Sequence, residues 1–192
     1  MIGYAFCGSF CTFAASLSSL ERLISEGRQI QPIMSENAYS TDTRFFVARD
    51  FVNRVETLCG REIIHTVKDA ERLGPASPLS ALVIAPCTGN TLAKMANGIT
   101  DTAVTMAAKA HLRSDRPLLI ALASNDAMSQ NLGNLSRLIT RRSVYLVPMA
   151  QDDPKRKPHS LVARMDAVPE CLLSMERGEQ KRPLFLEPAG EG

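Results

Sequence analysis

A doubly wound α/β fold is what this sequence predicts, on three observations. Short apolar runs alternate with stretches of helical periodicity through most of the chain. The runs at 80–85, 117–123 and 143–147 are continuously apolar, which suits parallel strands covered on both faces. The early runs stop at clusters of small, hydroxyl or amide residues, as strands do where they lead into helices.

Residues 2–7 read as the first strand, ended by Gly8-Ser9. Phe13, Leu17, Leu20, Leu23 and Ile24 recur at helical spacing, so 12–26 reads as a helix with Thr12 at its N-cap and Gly27 as its stop. Residues 29–34 are a second strand, weakened by Pro32. A polar loop at 35–43 leads to a helix over 44–58 that stops near Gly60. The pattern at 61–78 is weaker: a short strand at 63–66, a helical turn at 68–73, then Gly74-Pro75. The strand at 80–85 is halted by Pro86, and 90–113 reads as helix with a break around Gly98. A helix at 132–140 lies between the strands at 117–123 and 143–147. The polar loop 151–160, a helix over 166–178 and a short apolar run at Leu184-Phe185-Leu186 are expected to pack on the same single domain, residues 1–192. Right-handed crossovers between such elements give a three-layer, Rossmann-like or flavodoxin-like parallel sheet.

Length and composition permit this fold. A chain of 192 residues buries roughly 70% of its unfolded surface, and 45% hydrophobic with 22% charged residues is ordinary for a globular protein. A net charge of +2 gives no electrostatic case for nucleic acid. No run reaches the roughly 20 apolar residues that span a bilayer, and the N-terminus lacks the basic region and length of a secretory signal. Cys7, Cys11, Cys59, Cys87 and Cys171 are dispersed with no CxxC pair. They read as free thiols in a reducing cytosol, which implies a cytoplasmic protein and no metal site.

Ligands of doubly wound sheets sit beyond the carboxyl ends of the strands. Four segments therefore matter: 8–12, 35–43, 86–91 and 124–131. Gly8-Ser9-Phe10-Cys11-Thr12 opens a helix whose free N–H groups favour a phosphate, although the same residues suit an ordinary strand–helix turn. It is not GxGxxG, which disfavours a dinucleotide-binding domain of the usual kind. In Pro86-Cys87-Thr88-Gly89-Asn90-Thr91, two hydroxyls, an amide and a glycine gather where one capping residue would suffice. Ser124-Asn125-Asp126-Ala127-Met128 suits either a carboxylate or flavin carbonyl held by Asn125, or an Asx turn.

Together these loops resemble the homo-oligomeric flavin-containing cysteine decarboxylase family. Its PASANT-type motif is similar to Pro86-Cys87-Thr88-Gly89-Asn90-Thr91, continuing through Lys94, Ala96, Gly98 and Asp101. Its PxMNxxM motif is partly kept as Leu122-Ala123-Ser124-Asn125-Asp126-Ala127-Met128. Within the family, Ser40-Thr41-Asp42-Thr43-Arg44-Phe45, Met106-Ala107-Ala108-Lys109-Ala110 and Gln151-Asp152-Asp153-Pro154 resemble one particular branch, and the resemblance covers residues 2 to about 186. The resemblance implies FMN, with its phosphate near Gly8, Ser9, Phe10 and Ser35. Cys87, Thr88, Gly89, Asn90, Thr91 and Ser124 would line the rest. It also implies a homo-oligomer, a trimer or larger.

The family's decarboxylases carry a catalytic histidine shortly before the PASANT-type motif; that place falls near Arg72 here, and His65 lies too far upstream. His65, beside Ile63 and Ile64, reads as structural. The resemblance points instead to a branch that forms pyridine-2,6-dicarboxylate in sporulation. Its precursor is a dihydro- or hydroxytetrahydro-dicarboxylate of the lysine pathway, and it works with a second, A subunit bearing a nicotinamide-type domain. On that reading Arg44 holds a substrate carboxylate bidentately, and Asn90 and Asn125 hold the other end. Lys155-Arg156-Lys157 reads mainly as a solvated charged loop. A decarboxylase or flavin prenyltransferase acting alone, and a non-catalytic flavin-binding subunit, are the alternatives.

Overall fold

The computed structural model describes residues 1–74 and 79–187. Its parallel core holds β1 (Ile2–Phe6), β2 (Ile30–Met34), β3 (Ala81–Cys87), β4 (Leu118–Ser124) and β5 (Val144–Leu146). They lie in the order β2-β1-β3-β4-β5, with every neighbouring pair parallel. All seven residues of β3 are buried, which is why its sequence is apolar without alternation. Pro32 is tolerated because β2 is an outer strand. Its carbonyl faces away from β1 and accepts Ile64 N at 3.0 Å, so the missing N–H interrupts no bond to β1.

Helices cover both faces. On one side α1 (Phe13–Ser25), α3 (Ala48–Cys59) and α8 (Val168–Glu176) pack together; on the other lie α4 (Val67–Glu71), α5 (Gly89–Ala96), α6 (Ala103–Leu112) and α7 (Leu132–Ile139). The face of α1 toward the sheet is pinned by Ser16, which donates to Ala85 O, and by Tyr4, whose hydroxyl donates to Ser16 O at 2.9 Å. Phe6, Phe13 and Phe51 form an aromatic cluster beneath the loops that follow β1 and precede α3, and Phe10 and Phe46 join it from those loops.

Several elements depart from the sequence reading. The sheet is mixed, not wholly parallel: β6 (Met149–Ala150) and β7 (Leu161–Ala163) form an antiparallel hairpin, and β7 pairs antiparallel with Ala123 and Ser124 of β4. Strands of two and three residues leave no periodic trace, since alternation needs about four positions to register. The loop expected at 35–43 contains α2 (Glu36–Ser40), capped by Ser35, whose hydroxyl accepts Ala38 N. The following helix begins at Ala48 rather than 44, because Asp42 takes Ala48 N at 2.8 Å and Thr43 ties the backbone of 43–46 into a turn. Residues 63–66 form only an isolated bridge through Ile64. β3 runs through Pro86 instead of halting there; the Ala85–Pro86 peptide is cis and the register with β4 shifts between Ile84 and Cys87. Thr12 sits at the N-cap of α1, but its hydroxyl donates to Ser9 O and caps nothing. The last helix opens with a 3-10 turn at Met165–Ala167 and ends at Glu176. Of the expected Gly74-Pro75 turn, Pro75 lies outside the described residues.

Candidate functional site

In the order β2-β1-β3-β4-β5, chain direction across the sheet reverses between β1 and β3, and a crevice opens beyond their carboxyl ends. Cys7 N donates to Pro86 O at 3.1 Å and keeps the two strand ends side by side. A cleft of about 500 Å³ lies there, lined by Gly8, Ser9 and Phe10 after β1, Arg44 and Phe45 before α3, and Thr88, Gly89 and Asn90 after β3; Ser124 at the end of β4 and Asn125 and Asp126 beyond it also line it. A second cavity of about 330 Å³ adjoins it through Gly8, Thr88 and Asn90, and reaches Ser35, Asn37, Thr91 and Lys94.

Of the residues singled out from the sequence, nine thus face the cleft: Gly8, Ser9, Phe10, Arg44, Thr88, Gly89, Asn90, Ser124 and Asn125. Ser35 and Thr91 line only the adjoining cavity. The side chain of Cys87 is buried and lines neither, and burial pushes its thiol well above the ordinary range. Cys7 is likewise buried and held neutral at about 11 by burial, against opposing hydrogen bonds at Thr91 and Thr88. His65 lines neither cavity; its ring stacks on Tyr39 at 3.8 Å. His111 is buried, hydrogen-bonded at 3.0 Å to Pro117 O, and burial lowers its pKa.

Thr88 caps α5 by accepting Thr91 N at 3.2 Å, and its own hydroxyl donates to Thr91 Oγ1 at 3.0 Å, so two of the clustered polar groups are spent on the helix start. Asn90 and Asn125 are different. Among the described residues neither side chain has a hydrogen-bond partner, so both amides are available to a ligand.

Three features of the site were not expected from the sequence. Ser124 donates to Asp126 Oδ1, and Asn131 Nδ2 donates to both oxygens of that carboxylate at 3.0 Å. Hydrogen bonds from Ser124, and then from Asn131, hold Asp126 below the usual carboxylate range against the opposing effect of burial. This clasp explains Gly89: a Cβ there would stand 2.3 Å from Ser124 Oγ, 2.7 Å from Asn131 Nδ2 and 2.8 Å from Asp126 Oδ1. The second feature is the β6–β7 hairpin, which carries Asp152 and Lys157 to the cleft. They pair at 2.6 Å, and Ser160 also donates to Asp152 at 2.5 Å. Burial opposes ionisation of Asp152, but Lys157 and Ser160 outweigh it and the pKa is lowered. Lys157 is therefore a wall residue, while Arg156 remains a solvated side chain. The third is the ion pair of Lys94 and Asp101 at 2.9 Å in the adjoining cavity. Asp126 was within reach of sequence reasoning, since it directly follows Asn125; nothing in the sequence places 152 and 157 beside 8–12.

Fold and cleft together describe a flavodoxin-like α/β protein with a cleft at the switch point of its sheet. The chain belongs to the Flavoprotein family, whose model matches residues 1–167. It is 41% identical to the dipicolinate synthase B subunit of Bacillus subtilis (strain 168) over 97% of this chain and 93% of that protein. The crystal structure of the dipicolinate synthase B subunit from Bacillus halodurans C superposes with a TM-score of 0.89 at 38% identity, covering 98% of this chain and 96% of the other. The FMN-dependent cysteine decarboxylase SpaF shares the fold, with a TM-score of 0.66 at 22% identity over 92% and 95% of the two chains. Among the described residues no helix is long and apolar enough to cross a membrane, and no group of three or more His, Cys, Asp or Glu is placed to hold a metal ion.

Proposed function

We propose that this chain is the B subunit of a dipicolinate synthase, an FMN-binding oxidoreductase that forms pyridine-2,6-dicarboxylate together with an A subunit. The observation that carries this reading is a switch-point cleft in a chain 41% identical, over 97% of its length, to a subunit of that name. The residues fit a flavin mononucleotide. The cleft and its adjoining cavity, about 500 and 330 Å³, lie within the size range of cofactor sites. Gly8, Ser9, Phe10 and Ser35 would take the phosphate end, where Gly8 lines both the cleft of Ser9 and Phe10 and the adjoining cavity that Ser35 reaches. Thr88, Gly89, Asn90, Thr91 and Ser124 would follow the rest. Cys87 would contribute backbone only, its thiol being buried.

A bound flavin supplies an acceptor for the hydride equivalent released when the ring becomes aromatic. The chain's own residues bind and orient the dicarboxylate. Arg44, exposed on the rim and stacked over Phe45 at 4.8 Å, offers a planar fork to one carboxylate. Asn90 and Asn125 present unspent amides toward the other. With His65 stacked on Tyr39 and no histidine among the described cleft residues, a decarboxylase that depends on such a histidine is the less favoured reading. A homo-oligomer, a trimer or larger, goes with the proposal.

The test is to load the chain with FMN, add the A subunit and the dihydro- or hydroxytetrahydro-dicarboxylate, and follow dipicolinate by absorbance. Product is expected with both subunits and FMN, and none when FMN is omitted. A protein that stays colourless in excess FMN overturns the proposal. Arg44→Ala is expected to raise KM for the dicarboxylate about 10–100-fold while FMN remains bound. An unchanged KM would remove Arg44 from the site.

A further inference from the structure

The Ser124–Asp126–Asn131 clasp fixes the polarity of one corner of the cleft. Asn131 is 5% exposed, and both ends of its amide are engaged. Its Nδ2 serves both Asp126 oxygens, and its Oδ1 accepts Asn134 Nδ2 at 3.0 Å. Asn134 Oδ1 in turn accepts from Asn97, whose Oδ1 takes Arg137 at 2.7 Å. The chain of donors runs one way, from Arg137 on the surface to Asp126 in the cleft, so the Asn131 amide cannot turn over without setting its oxygen against a carboxylate. An ionised carboxylate accepts and does not donate. Ser124 has a single hydroxyl proton, and it is directed at Asp126. What the clasped side chains offer a ligand is therefore acceptors only: the outward lone pairs of Asp126 and of Ser124 Oγ, both of which line the cleft.

From this we infer that Asp126 and Ser124 are specificity-determining residues that read a protonated ring nitrogen on the substrate. The inference rests on the dicarboxylate reading above and deepens it. As a protonated cyclic imine, or as its enamine tautomer, the partly saturated ring carries an N–H that meets two acceptors, while Arg44 and the amides of Asn90 and Asn125 take the carboxylates. In the aromatic product the same nitrogen carries a lone pair at neutral pH, so it faces acceptors with no proton to share. A site built around a hydrogen bond discriminates against the analogue that cannot make it, here because the ring lone pair is set against the lone pairs of Asp126 and Ser124. The same corner thus holds substrate and weakens its grip once the ring is aromatic.

The experiment is calorimetric titration of the FMN-loaded chain with three six-membered-ring dicarboxylates whose carboxylates occupy the same relative positions. Piperidine-2,6-dicarboxylate bears a ring ammonium, pyridine-2,6-dicarboxylate a lone pair, and benzene-1,3-dicarboxylate a C–H. The piperidine compound is expected to bind at least roughly tenfold more tightly than the pyridine compound, with the benzene compound between. Asp126→Asn should shrink that preference to within about threefold, by replacing an obligate acceptor with a group that can also donate. Ser124→Ala, which leaves the carboxylate in place, should reduce it in part and serves if Asp126→Asn fails to fold. Equal binding of the piperidine and pyridine compounds by the native chain overturns this inference alone. So does a preference that both variants leave intact, or variants that change FMN affinity without changing the preference. Binding of none of the three overturns the dicarboxylate reading itself, and this inference with it.

Discussion

Replacing Phe13 by Ala is expected to lower the unfolding free energy by about 3–5 kcal/mol and to release the FMN proposed above from the protein that remains folded. Phe13 is 2% exposed at the start of α1 and touches four rings: Phe46 stacked at 4.8 Å, Phe51 at 4.8 Å, Phe10 at 5.4 Å and Phe6 at 5.7 Å. Phe6 belongs to β1 and Phe51 to α3, but Phe10 lies in the cleft turn and Phe46 in the segment that carries Arg44. Truncation leaves a cavity beneath both cleft walls, and dense cores close such voids only in part. Urea denaturation gives the stability loss as a lower midpoint at unchanged slope, and flavin absorbance after gel filtration reads retention. A variant that loses less than about 1 kcal/mol, well under the cavity cost, would show that the cluster is not the support described.

Gly89→Ala is expected to weaken the proposed FMN binding at least roughly tenfold, about 1.4 kcal/mol, with only a modest change in stability. The added Cβ stands 2.3 Å from Ser124 Oγ, so the clasp around Asp126 must open. Overpacking of this kind costs about 1–3 kcal/mol, while the gain of alanine over glycine in a helix returns up to roughly 1 kcal/mol. Gly133→Ala in α7 is the matched control, since a Cβ there meets nothing within 4 Å. It is expected to stabilise the protein by about 0.4–1 kcal/mol and to leave FMN affinity unchanged. Quenching of flavin fluorescence measures both affinities. If both variants bind FMN like the native chain, the close packing at Gly89 has no part in the site.

Apolar runs and helical spacing suffice for the parallel core because burial on both faces leaves a local mark in composition. The buried β3 and the helices α1, α7 and α8 are legible for that reason, to within a few residues at their ends. Boundaries set by side chain to backbone bonds are not legible: Asp42 reaching Ala48 shortens α3, and Ser35 capping Ala38 winds α2. The β6–β7 hairpin escapes because pairing, not periodicity, makes its short strands.

The same division runs through the cleft. The sequence by itself determined the alternating fold, the four strand-end loops, and the residues Gly8, Ser9, Phe10, Thr88, Gly89, Asn90, Ser124 and Asn125 that line the crevice, because a doubly wound sheet gathers the ends of its strands wherever its helices lie. Only the tertiary structure decided that Asp126 is an ionised acceptor clasped by Ser124 and Asn131, that Lys157 and Asp152 join the wall, and that Cys87 turns away from it. The physical reason is that charge state and donor direction belong to partners brought together from distant parts of the chain, and no local pattern encodes them.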